Sequence, residues 1–343
     1  MQAKVTKANY GTPEEKKYCS CEWLSFGLIC CGVRKTIPLA NRLNTTHCSR
    51  GRTLGNVKIS QKAIDKPSAV KPKRIPPCLL SVVNSTRLSP FMQRITLTGE
   101  ALKDFPEGCS GAHIKLFFPQ SHQQQPMLPT IGPTGVVWPA KENKPVTRTY
   151  SVRNYDSQLQ QLTVDFVLHD ESSPASGWAL NARKGDKIGL AGPGGPNPLL
   201  APADWHIISG DMTALPAISA ILEMLPEQAQ GDVFIEVNNP SERQELTTAA
   251  KDIKIHWLYS ESQPAGTTSF QLEAIQKISK PAHVESISAW VAGENTAVIN
   301  IRNYLKEKYG LHKKNLYAVP YWRYGFNEEG YHAERHKVMD EVY

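Results

Sequence analysis

The chain is 343 residues long and 40% hydrophobic, a length for about two domains with extensions, and no apolar run is long enough to span a membrane as a helix. Its formal charge of +7 is unevenly placed: residues 1–73 hold 14 Lys+Arg and 4 Asp+Glu, a balance of +10, while the remainder holds 25 and 28, a balance of −3. The net charge of the folded part therefore gives a nucleic-acid-binding reading no electrostatic support.

Residues 1–73 sustain neither a helical nor a strand period, so they read as a disordered basic extension and are set aside. Five of the seven cysteines lie there, at Cys19, Cys21, Cys30, Cys31 and Cys48. Cys19-Ser20-Cys21 and Cys30-Cys31 lack the two-residue spacer that lets paired thiolates wrap one metal, so no metal site is predicted. The apolar stretch 23–33 is too short for a membrane helix and lacks the order of a secretory signal. The isolated Cys78 and Cys109 suit a reducing cytoplasm.

From about residue 76 to 200 the pattern is short strands between turns, at 79–84, 94–97, 114–118, 147–152, 162–168 and 187–190. That spacing predicts a small antiparallel barrel. A proline-rich polar insertion at 120–145 reads as a long surface loop. From residue 204 the period changes. A strand at 206–208 precedes a helix at 214–225, where Leu215, Ile218, Leu222 and Leu225 recur at helical spacing. Strands at 232–237, 253–258 and 287–292, a helix at 295–308 and a strand at 316–319 complete a doubly wound parallel α/β pattern. The expected division is an extension (1–73), a barrel (74–203), an α/β domain (204–321) and a helix-compatible, charged C-terminal extension (322–343).

The most informative stretch is Arg148-Thr149-Tyr150-Ser151, at the end of a strand. A guanidinium can pair with a pyrophosphate, an aromatic ring can cover an isoalloxazine, and a small hydroxyl can reach its reactive edge. By itself, R-x-Y-S also reads as an ordinary exposed strand. The context adds to it. Asp165-Phe166-Val167-Leu168-His169 ends a strand that can cross the adenine side of a dinucleotide. Pro174-Ala175-Ser176-Gly177-Trp178-Ala179 opens a short helix with small residues, leaving backbone N–H groups and the dipole for a phosphate. Gly185-Asp186 and Ala191-Gly192-Pro193-Gly194-Gly195-Pro196 follow as corners. Together these resemble the flavin domain of siderophore-interacting proteins, bacterial NAD(P)H-dependent ferric-siderophore reductases within the ferredoxin-reductase superfamily. The resemblance runs in order from Cys78-Leu79-Leu80-Ser81-Val82 to Tyr321-Trp322-Arg323-Tyr324-Gly325, roughly the last three-quarters of the chain.

The resemblance implies an FAD-binding antiparallel barrel followed by a nicotinamide-binding α/β domain. It assigns Gly210-Asp211-Met212-Thr213-Ala214 to the nicotinamide dinucleotide, with Gly210 allowing close approach and Thr213 capping the following helix. It brings Ala292-Gly293-Glu294 to the nicotinamide. By pattern alone these are a strand–helix turn and a helix N-terminus. NADPH against NADH stays open: Glu236 would bond a ribose hydroxyl, whereas Arg243 could pair with a 2′-phosphate. Many relatives carry an arginine after the tryptophan of the next strand, but here Trp257 is followed by Leu258. The family's substrate-facing lysine corresponds to Lys115. Arg323 after the Tyr-Trp pair, and Lys337 in the C-terminal tail, complete the expected basic set. No histidine, cysteine or carboxylate spacing in the folded part forms a metal site, which fits iron that arrives already caged. The expectation is a cytoplasmic, monomeric FAD enzyme that reduces anionic ferric siderophores, with no nucleic-acid or membrane partner. Two alternatives remain: an NAD(P)H–flavin oxidoreductase with a protein or free-flavin acceptor, and a non-enzymatic siderophore-binding protein.

Overall fold

Two sheets of opposite character organise the chain. The computed structural model describes residues 75–261, 263–264, 266–326, 328 and 330–331, which fall within one compact unit. The first half contributes β1 (Ile75–Ser89), β2 (Met92–Thr98), β3 (His113–Phe118), β4 (Thr130–Gly132), β5 (Gly135–Val137), β6 (Val146–Ser151), β7 (Asn154–Asp156), β8 (Gln161–Val167), α1 (Pro174–Asn181) and β9 (Lys187–Gly194). The second contributes β10 (Trp205–Asp211), α2 (Leu215–Met224), β11 (Gln230–Val237), β12 (Asp252–Tyr259), α3 (Phe270–Lys277), β13 (Ile287–Glu294), α4 (Asn295–Tyr309) and β14 (Leu316–Trp322).

The first sheet is antiparallel and curls into a half-barrel in the order β6-β3-β9-β1-β2-β8-β7. Its strands bury alternate residues, as the two-residue period demands: Ile95 and Leu97, Ile114 and Leu116, Val164 and Phe166, Ile188 and Leu190 all point into one core. The second sheet is parallel, in the order β12-β11-β10-β13-β14. Its central strands are buried on both faces, so they read as continuous apolar runs. Ile208, Val233 and Trp290 meet Ile218 and Leu222 of α2. Ile207, Phe234 and Val291 meet Ile275 of α3 and Ile301 and Leu305 of α4 on the other side. The carboxyl ends of β10, β11, β13 and β14 are thereby brought to one edge. Gly210 lets that edge close: a Cβ there would lie 2.5 Å from Ala214 Cβ and 2.8 Å from Ala292 O.

Some local expectations need correction. Residues 120–145 are not all loop, since β4 and β5 form a two-stranded hairpin. β7 and α3 had no clear sequence signal. Thr213 does not cap α2: the helix begins after Ala214 with no side-chain cap, and the Thr213 hydroxyl donates instead to Asp211 Oδ1 at 2.5 Å.

His206 gives the fold a pH dependence. It is 4% exposed, its Nδ1 has no partner, and burial lowers its pKa from the ordinary 6.5. The unfolded chain therefore takes up a proton that the folded chain resists. Stability is retained above the ordinary histidine range and lost as pH falls below it towards the folded-state value. Urea midpoints are expected to drop between about pH 7 and pH 5.5 and to drop less in His206→Gln, because the glutamine does not titrate. Equal slopes for both proteins would assign the effect elsewhere.

Candidate active site

A cleft of about 740 Å³ lies between the half-barrel and the carboxyl edge of the parallel sheet. One wall is the β6 motif: Arg148, Thr149, Tyr150 and Ser151 all line it, with Val167, Leu168 and His169 from the end of β8. Tyr150 is set by its neighbours, its ring 4.4 Å from that of Phe166 and 6.4 Å from that of Phe118. Burial pushes its phenol above the ordinary value, so it stays neutral and offers a ring and a hydroxyl. Arg148 Nη1 donates to Thr147 O at 2.9 Å, which steadies the side chain within the cleft wall.

Other residues of this half stand behind the wall. Asp165 touches the cleft, but its carboxylate accepts from Arg94 Nε at 2.7 Å and Nη2 at 2.8 Å. The pair is bidentate, and the Asp165 side chain is only 2% exposed, so the carboxylate is committed to Arg94 on the sheet face opposite the barrel core. In α1, Ala175 and Ser176 are buried, and Ser176 Oγ accepts from His169 N at 3.2 Å. Trp178 packs on Phe118 and Phe166. The side chain that α1 brings to the cleft is the preceding Ser173. Gly177 permits this approach, because a Cβ there would sit 2.3 Å from Glu171 O.

The opposite wall is built around Asp211, which lines the cleft with Met212, Thr213 and Glu236. Asp211 Oδ1 accepts from Thr213 N at 2.8 Å and Thr213 Oγ1 at 2.5 Å. Its Oδ2 accepts from Glu294 N at 2.9 Å and Trp322 Nε1 at 2.7 Å. Burial pushes this carboxyl up, and the four donors oppose that shift. One side chain thus ties the ends of β10, β13 and β14 together. Gly210, Ala214, Ala292 and Gly293 shape this edge by close packing. Glu294, 2% exposed, caps α4 by accepting from Thr296 N at 2.5 Å and Ala297 N at 3.2 Å. Its other oxygen accepts from Tyr324 N at 3.3 Å. Glu236 accepts from Thr268 Oγ1 at 2.5 Å and Gln271 Nε2 at 3.3 Å. Burial raises its pKa against those bonds. The Arg243 guanidinium lies over the Trp257 ring at 5.7 Å.

The two walls are joined by a residue with no motif to announce it. Glu242, wholly buried, accepts from Ser89 Oγ at 2.5 Å and Phe91 N at 3.2 Å, fixing the β1–β2 turn to the α/β half. Of the expected substrate residues, Lys115 lies beside Thr149 and Glu328. Arg323 lines the cleft, its guanidinium 4.5 Å from the Phe326 ring. Lys337, like residues 1–73, lies outside the described residues. Among the described residues no group of three His, Cys, Asp or Glu side chains is placed to hold a metal, and no helix is long and apolar enough to cross a membrane. Burial pushes the Cys78 thiol to about 11 and the Cys109 thiol to about 12, so neither is an activated nucleophile. A second cavity of about 600 Å³ reaches His206 and Gln230, at the amino ends of β10 and β11, away from the edge where such sheets bind ligands.

This architecture is that of an FAD-binding barrel joined to a ferredoxin-reductase-type α/β sheet. Residues 81–197 match the siderophore-interacting FAD-binding domain, and residues 203–325 match the siderophore-interacting protein domain. The chain is 46% identical over 271 residues to the ferric vibriobactin reductase of Vibrio cholerae, spanning 79% of this chain and 98% of that protein. It is 32% identical over 249 residues to an NADPH-dependent ferric-chelate reductase of Escherichia coli, spanning 71% and 91%. The crystal structure of the siderophore-interacting protein SipS from Aeromonas hydrophila superposes with a TM-score of 0.66 at 33% identity, covering 77% of this chain and 98% of that one. The chain belongs to the siderophore-interacting protein family. The cleft suits FAD on chemical grounds, since it sets a guanidinium, an aromatic ring and a helix N-terminus along one wall.

Proposed function

We propose that the protein is an FAD-dependent, NAD(P)H-consuming reductase that converts Fe(III) held by siderophores to Fe(II). The observation that carries this reading is the single cleft shared by the Arg148–Ser151 strand and the carboxyl edge of the parallel sheet, which would bring two dinucleotides face to face. Arg148 would pair with the FAD pyrophosphate, Tyr150 would cover the ring system and Ser151 would offer its hydroxyl to the reactive edge, while Val167, Leu168, His169 and Ser173 would hold the adenosine side. On the other wall Met212, Thr213 and Glu236 would receive the nicotinamide dinucleotide. Glu236 would accept from a ribose hydroxyl and repel a 2′-phosphate, whereas Arg243 could pair with one, so NADH and NADPH are both to be tested. When bound, FAD supplies the conversion of a hydride donor into single electrons. Siderophore oxygens are hard donors that hold Fe(III) far more firmly than Fe(II), so reduction loosens the cage and frees the metal.

The division of labour follows the sequence: residues 74–203 hold FAD, 204–321 hold NAD(P)H, and the segment from 322 onward, with Arg323 and Lys337, contributes to the substrate groove. Lys115 and these residues suit an anionic ferric complex. The protein is expected to act as a monomer, which size-exclusion chromatography with light scattering would test. The unpaired Cys78 and Cys109 support a reducing, cytoplasmic setting. The test is anaerobic: reduce the purified flavoprotein with NADH or NADPH, then add ferric siderophores in the presence of an Fe(II) trap. Bleaching of the flavin followed by trapped Fe(II) is expected. Flavin reduction without Fe(II) release, but with turnover of a protein or free-flavin acceptor, would move the activity to that acceptor. A protein that binds siderophore without flavin would be a carrier.

A further inference from the structure

Lys115 on β3 and Thr149 on β6 are direct cross-strand partners, and a carboxylate from the far end of the chain is lodged against both. Glu328 Oε1 accepts from Thr149 Oγ1 at 2.7 Å and from Lys115 Nζ at 3.1 Å. Glu328 Oε2 accepts from the Thr149 backbone N–H at 3.1 Å. Lys115 Nζ also donates to Thr149 Oγ1 at 2.5 Å, closing the ring of contacts. The Glu328 side chain is 19% exposed and that of Lys115 33%. Burial alone would raise the Glu328 carboxyl, but the Lys115 charge and the Thr149 donors outweigh it, so its pKa falls below the ordinary value. The carboxylate is therefore charged throughout the neutral range. It also lines the cleft, as do Arg148 and Arg323, whereas Lys115 is not among the lining residues. Three residues on, the buried Tyr331 donates its hydroxyl to Asn295 Oδ1 at 2.7 Å.

We infer that Glu328 is a specificity-determining residue: a built-in counter-ion that occupies Lys115 until an anionic ferric complex displaces it. The inference rests on the reading of the cleft as a ferric-siderophore site. An incoming anion meets a neutralised pair, not a bare cation, and must exchange one carboxylate contact for its own. A neutral complex has no charge to compete and binds without breaking the pair. Glu328 thus weakens anionic complexes selectively and limits retention of the anionic ligand once its iron has been reduced. It also masks Lys115, so the two residues are coupled and not additive.

The test uses the full-length holoprotein and redox-inert gallium(III) complexes, a trianionic tris-catecholate and a neutral tris-hydroxamate, so that Kd is read by calorimetry apart from turnover. Reoxidation of the reduced flavin by the matching ferric complexes gives KM in parallel. Glu328→Gln keeps the shape and an accepting oxygen but loses the charge. It should tighten the trianionic complex roughly three- to ten-fold, since a partly exposed ion pair is worth up to about 1 kcal/mol or somewhat more when buried. The neutral complex should change less than about twofold on the same reasoning. Lys115→Ala should weaken trianion binding more in the Glu328→Gln background than in the wild type, and Glu328→Asp should restore wild-type charge selectivity. If both complexes respond alike, or if the Lys115→Ala penalty is the same in both backgrounds, the counter-ion role is overturned while the reductase reading stands. A wild type that reduces no ferric complex overturns the reductase reading, and this inference with it.

Discussion

Arg148→Ala is expected to purify with little FAD, its affinity lower by roughly ten- to a hundred-fold, because it loses a charge-assisted contact to phosphate worth about 1.5–3 kcal/mol. The wall that carries Arg148 should survive the change. β6 is held by its ladder to β3, and Tyr150 remains packed on Phe166, so circular dichroism should match the wild type. Arg148→Lys should recover only part of the affinity, since a point charge lacks the guanidinium fork. The measurement is flavin absorbance per protein after purification, followed by titration of apoprotein with FAD. Full occupancy in the alanine variant would remove Arg148 as the phosphate anchor and leave Tyr150 and the α1 N-terminus as the principal contacts.

The elements that build the two sheets were legible because their patterns are long. Ile207-Ile208, Val233-Phe234-Ile235 and Trp290-Val291-Ala292 are buried on both faces, and a run of that kind between turn signals reads directly as a central parallel strand. The hairpin of β4 and β5 was not legible: its strands are three residues each, they carry glycine, and Ile131, Val136 and Val137 are exposed, so no buried period exists to read. The eight residues of α3 failed for a related reason, since only Gln271 and Ile275 are buried there. In the site, the motif residues Arg148 to Ser151 do meet in the cleft. The small residues of α1 and the edge glycines were visible as a pattern, but the pattern could not tell wall from backing. Ser176 is turned to the His169 N–H just past the end of β8, and Gly210 is closed in by Ala292 O from a strand about eighty residues on. Glu242 and Glu328 carry no local signal whatever. Each is one acid among many charged residues, and its importance comes from partners about 150 and 180 residues away in sequence, which only the fold can supply.

Replacing Asp211 should cost stability and the nicotinamide half-reaction together. Its four contacts all come from donors, two on each oxygen. Asparagine keeps one accepting oxygen and must turn its NH₂ towards one of the two donor pairs. The better choice faces Thr213, whose hydroxyl can rotate to accept, leaving the Thr213 N–H unpaired. One stranded donor of this kind costs about 1–3 kcal/mol, or a Tm fall of roughly 2–10 °C for a protein of this size. Leucine accepts from none of the four, so Asp211→Leu should cost more than Asp211→Asn. The functional consequence follows from what the carboxylate joins. Glu294 N belongs to the end of β13 and Trp322 to the end of β14, so releasing them loosens the sheet edge proposed to seat NAD(P)H while the β6 wall, on the other sheet, is untouched. Stopped-flow traces should therefore show flavin reduction by NAD(P)H slowed by about tenfold or more in Asp211→Leu, which releases both donors, and less in Asp211→Asn, whose oxygen still holds them. Reoxidation by ferric siderophore should change much less, because it draws on the opposite wall and on Lys115. Equal slowing of both half-reactions would mean that the variant has disturbed the flavin seat itself. An unchanged Tm with unchanged hydride transfer would mean that β10, β13 and β14 hold their ends together without this carboxylate.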